Sequence, residues 1–78
     1  MMQELKYKPG NLLQEFIYNT KRRKYELIGL YFILDIDHFD AMVVSFYDRD
    51  GYYTPFTKTE ISHNELHRKG KGFKWEIQ

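Results

Sequence analysis

The chain has 78 residues, 42% of them hydrophobic and 18% aromatic, with no cysteine and a formal net charge of +1. A chain this short supports one domain with one core and buries only about 60% of its unfolded surface. Absent cysteine excludes disulfide staples and thiolate metal sites, and no apolar run reaches the ~20 residues a membrane helix requires. Met1-Met2-Gln3-Glu4-Leu5-Lys6 lacks the apolar region of a secretory signal. An intracellular, cytoplasmic protein is expected.

In chain order, residues 1–7 read as a loose N-terminal segment of the single domain. Lys8-Pro9-Gly10-Asn11 is a turn, with Pro fixing φ and Gly tolerating a positive one. Leu12 to Tyr18 reads as a first strand. The same segment carries a helical stripe (Leu12, Leu13, Phe16, Ile17) that Asn11 is placed to cap, so helix stays open beside the preferred strand. Asn19 to Lys24 is a polar, basic loop.

The strand that follows runs through Gly29, a bulge or bend, to Ile36. Alternation divides it into Leu30, Phe32, Leu34 and Ile36 on one face and Tyr31, Ile33 and Asp35 on the other. The first set is expected to face the core, matched by Met42, Val44 and Phe46 on the next strand. Val43, Ser45 and Tyr47 then point outward.

Asp37-His38-Phe39-Asp40 connects these two strands, and Asp48-Arg49-Asp50-Gly51 makes the next turn, Asp-Gly being a strong hairpin cue. Tyr52 to Thr57 is expected to be a short strand that Pro55 confines to an edge. Ser62-His63-Asn64-Glu65 has the form of a capping box, which predicts one helical turn over 62–67. Lys69-Gly70-Lys71-Gly72 leads into a final alternating strand, Phe73 to Ile77.

These elements predict an all-β fold: a small five-stranded antiparallel barrel with one helical turn, closure being one way to remove sheet edges. Lys8-Pro9-Gly10-Asn11-Leu12-Leu13 is similar to the "KPGDLV" opening of SH3-like barrel proteins of the type encoded in bacteriophage genomes. Ile28 to Leu34 resembles their "GLVLEI" strand. Met42 to Phe46, with Gly51 to Ile61, resembles the segment after it. The resemblance covers about residues 8–61. Asn11 stands in place of Asp, Phe46 in place of the common Trp, and the basic loop is longer. What it implies is an SH3-like barrel whose partner is a host protein that it modulates or inhibits, or a virion component.

Residues able to carry chemistry form few constellations. Asp35, Asp37, His38, Asp40, Asp48 and Asp50 suit a hard cation in principle, but turns select Asp in any case. His63 and His67 lie four apart, yet His-Asn-Glu-Leu-His lacks the Glu position of a zinc protease. There is no nucleophile elbow and no phosphate-binding glycine loop. No metal, no cofactor and no enzymatic activity are expected.

Charge is more informative. Residues 1–34 carry +3, residues 35–65 carry −5 and residues 66–78 carry +3. Lys21, Arg22, Arg23 and Lys24 share one loop, and Arg68, Lys69, Lys71 and Lys74 surround the last strand. With Tyr18, Tyr25, Phe73 and Trp75 interleaved, they form a candidate surface for RNA or single-stranded DNA. A second candidate surface is aromatic: Tyr31, Val43, Tyr47 and one of Tyr52 or Tyr53, projecting from neighbouring strands. The reading that follows is a non-enzymatic module that binds a protein partner through this outer sheet. Nucleic-acid binding is the alternative, and self-association through the Tyr52–Thr57 edge comes third.

Overall fold

The structure, a computed structural model, describes residues 7–67 and 72–78. It holds five strands, β1 (Leu12–Asn19), β2 (Lys24–Ile36), β3 (Asp40–Asp48), β4 (Thr57–Ser62) and β5 (Phe73–Ile77), with one helix, α1 (His63–Leu66). All neighbouring strands pair antiparallel in one sheet of order β4-β3-β2-β1-β5. The all-β class and the number of strands agree with the sequence reading, and residues 12–18 are strand rather than helix. Among the described residues no ladder joins β4 to β5, so the sheet is open where a closed barrel was expected. Its two ends nonetheless approach each other. Nε1 of Trp75 on β5 donates to the carbonyl of Glu65 in α1 at 3.1 Å.

Local chemistry accounts for the turns. Asn11 Oδ1 accepts from the backbone N–H of Lys8, and Gly10 takes a positive φ of 92°. Asp37 Oδ1 accepts from the N–H groups of Phe39 and Asp40, which holds that carboxyl below the usual carboxylate range. Ser62 caps α1 by accepting from the Glu65 N–H, as the capping box predicts.

The core differs from the expected one. Its buried hydrophobic residues are Leu13, Tyr31, Ile33, Ala41, Val43, Ile61 and Leu66, with Tyr7, Ile36 and Trp75 packed against them. Tyr31, Ile33 and Val43 therefore face inward, and Leu30, Phe32, Leu34, Met42, Val44 and Phe46 lie on the opposite face. Small residues on the inward side (Gly29, Ala41, Val43, Ser45) leave room beside them for the large rings of Tyr31 and Trp75, while the phenylalanines of β2 and β3 lie on the other side. A Cβ on Gly29 would stand 2.8 Å from the Tyr31 ring. Ile36 is the exception among the residues expected inside. An extra residue at Leu34 shifts the β2–β3 register and brings Ile36 back to the core side.

One further expectation is corrected. Tyr52 to Phe56 is turn, and the strand lies after it, over β4. Pro55 has no N–H to give a ladder, and Asp48 Oδ2 takes up the Tyr53 N–H at 2.9 Å, which holds the segment in a loop. Tyr7 is half-buried against the core, and the rest of the N-terminal segment expected to be loose, residues 1–6, lies outside the described residues.

Candidate functional site

The curled sheet has two faces of different chemistry. On the concave side a cleft of about 780 Å³ opens between the ends of the sheet. Tyr31, Tyr52, Tyr53 and Trp75 line it together with the acidic residues Glu15, Asp40, Asp48, Asp50, Glu60 and Glu65, and none of the described lining residues is basic. β1 and β2 place Glu15 beside Tyr31, whose hydroxyl donates to Glu15 Oε1 at 3.3 Å. Burial, then the nearby charges of Glu15 and Asp48, push the Tyr31 phenol far up from its ordinary value of 10.0. It stays neutral and acts here as a donor.

The convex side is apolar and aromatic. Phe32 on β2 and Phe46 on β3 have ring centroids 6.4 Å apart, and Phe56 stands edge-on to Phe46 at 5.6 Å. Phe46 is 37% exposed and Phe56 72% exposed. Phe56 also holds a left-handed backbone, φ 68°, in which its N–H donates to the carbonyl of Ser45 at 2.7 Å. A non-glycine residue with positive φ is uncommon, and a bulky one is strained there.

The third surface is the β1–β2 hairpin tip. Asn19 Oδ1 accepts from the N–H groups of Lys21 and Arg22 and so builds the turn that presents the basic run. Lys21, Arg22, Arg23 and Lys24 are exposed, with Arg22 placed 3.5 Å from Glu26. Tyr18 and Tyr25 meet edge-on at 5.2 Å, and Lys74 Nζ lies 4.2 Å from the centre of the Tyr25 ring. The N–H of Tyr18 donates to the Gly72 carbonyl, so the start of β5 lies beside the hairpin.

The residues of the expected tyrosine surface do not form one patch. Tyr31, at 6% exposed, and Val43 are core residues. Tyr47 is opposite Leu30 on the convex side, and Tyr52 and Tyr53 turn to the concave cleft. The basic alternative is partly assembled: Lys21, Arg22, Arg23, Lys24 and Lys74 share one end of the sheet, while Arg68, Lys69 and Lys71 lie outside the described residues. Trp75 does not join them. It sits on the concave side between Tyr31 and Phe73, its N–H engaged by Glu65. The convex row of Phe32, Phe46 and Phe56 went unread as a surface because two of the three were assigned to the core.

Comparison with protein-family models, with curated proteins and with solved structures finds no match to this chain. Among the described residues, no helix is long and apolar enough to cross a membrane.

Proposed function

We propose that the chain is a non-enzymatic binding module that takes a protein partner on the convex face of its sheet. The observation that carries this reading is Phe56. A large apolar ring held mostly exposed on a strained backbone is unfavourable twice over in the free protein, and a partner that covers the ring offsets one of the two costs. Phe46 and Phe32 extend the same surface, and contiguous apolar patches of this kind mark interaction sites. The resemblance to phage-encoded SH3-like barrels makes a host protein in the cytoplasm the partner to seek first. Affinity capture from nuclease-treated lysate, with the wild-type chain and Phe56→Gly side by side, tests this. The expected result is a protein retained by the former and lost by the latter; a partner held equally by both overturns it.

A second reading rests on the hairpin tip, where exposed lysines and arginines adjoin the Tyr18–Tyr25 pair and Lys74. Such a patch suits single-stranded nucleic acid, with charges on phosphates and rings under bases. Here affinity falls steeply with salt, and neutralising Lys21 and Lys24 reduces the salt slope by about 1 to 2. Binding indifferent to salt rejects this reading.

A further inference from the structure

We infer that the concave cleft receives a basic hairpin tip, and that the occupant is the Lys21–Lys24 tip of a second copy of this chain. The inference concerns the face opposite the phenylalanine row and does not depend on it. Among the described residues, two surfaces of opposite charge stand on one molecule. The cleft offers carboxylates of Asp48 and Asp50 near the exposed rings of Tyr52 and Tyr53, with Asp40 at the other end of β3. Carboxylates with aromatic faces suit guanidinium and ammonium groups, which pair with the former and lie over the latter.

The tip is built to deliver such groups. Asn19 fixes the turn from inside through two backbone hydrogen bonds, and Arg23 takes a left-handed φ of 55°, so the basic run is presented at the hairpin's end. A preordered turn loses little freedom on docking. Asp50 is already faced by Arg49 at 3.4 Å, an exposed pair that an incoming cation can displace.

The tip cannot reach its own cleft. The β1–β2 ladder is paired from Ile17–Glu26 through Tyr18–Tyr25 to Asn19–Lys24, so the hairpin does not bend back. Thr20 lies five residues beyond Glu15, roughly 16 Å further along at about 3.3 Å per residue. The contact is therefore between copies, and since each copy carries both a tip and a cleft, docking closes as a reciprocal pair or ring or grows head to tail. A net charge of only +1 places no strong self-repulsion against it.

The test uses light scattering on the full chain and two charge variants. Lys21→Glu with Lys24→Glu disables the tip. Asp40→Asn with Asp50→Asn weakens the cleft without making it a site for the reversed tip, and spares Asp48, whose carboxylate holds the Asp50 and Tyr53 N–H groups. The expected results are a wild-type mass that climbs with concentration at about 20 mM salt and falls back at about 300 mM, two variants that stay monomeric alone, and a one-to-one mixture of them that stops at a dimer. A wild-type chain monomeric at every concentration overturns the inference. So does association that survives in either variant alone, or a mixture that fails to pair while circular dichroism shows both variants folded.

Discussion

A methyl group at position 29 would meet the Tyr31 ring at 2.8 Å and its hydroxyl at 2.9 Å, so the glycine is there for space. Tyr31 is buried and bonded to Glu15, which leaves it little room to give way. Gly29→Ala is expected to destabilise by about 1–3 kcal/mol through overpacking, measured by urea denaturation. Ser45 sits fully buried on the same side, and its Oγ has no hydrogen-bond partner among the described residues. Ser45→Ala removes an unsatisfied polar atom without opening a large hole, and a denaturation midpoint at or above the wild-type value is expected. Phe56 gives a third contrast. At φ 68° glycine fits and alanine does not, so Phe56→Gly is expected to exceed Phe56→Ala in stability by about 1 kcal/mol. Equal midpoints for the two would mean that the left-handed backbone at Phe56 relaxes.

At the scale of elements, β4 and β5 form no ladder among the described residues, and the bond from Trp75 Nε1 to the Glu65 carbonyl joins one end of the sheet to the other through α1. Trp75→Phe keeps an aromatic ring and deletes the donor. A loss of about 1 kcal/mol, or a fall of about 4–8 °C in Tm, is expected from that bond alone. An unchanged Tm would show that packing rather than the bond holds α1 to β5. The capping box at Ser62, the hairpin strands and the alternating Phe73–Ile77 were legible because each rests on local chemistry that acts within a few residues. β4 was missed although Thr57, Thr59 and Ile61 alternate with Lys58 and Glu60, since the aromatic run before it drew the strand five residues early. The faces of β2 and β3 were read in reverse because both are apolar. Alternation identifies a face only when one side is polar, and here neither side of β2 or β3 is.

At the scale of the whole molecule, the charge blocks in the sequence become distinct regions. The residues 35–65 supply most of the acidic lining of the cleft, and Lys21–Lys24 with Lys74 occupy the hairpin end. The acidic block was legible as a charge pattern. Its convergence with Glu15 and Trp75 was not, since these join it only when the sheet curls and brings its ends together. The phenylalanine row on the outer side leaves Phe56 and Phe46 exposed. The decisive measurement is the affinity of the captured partner for wild-type chain and for Phe56→Gly, both shown folded by circular dichroism. A loss of at least about tenfold in affinity, some 1.4 kcal/mol, is what a ring at the centre of the interface predicts. Equal affinity would contradict the convex-face account.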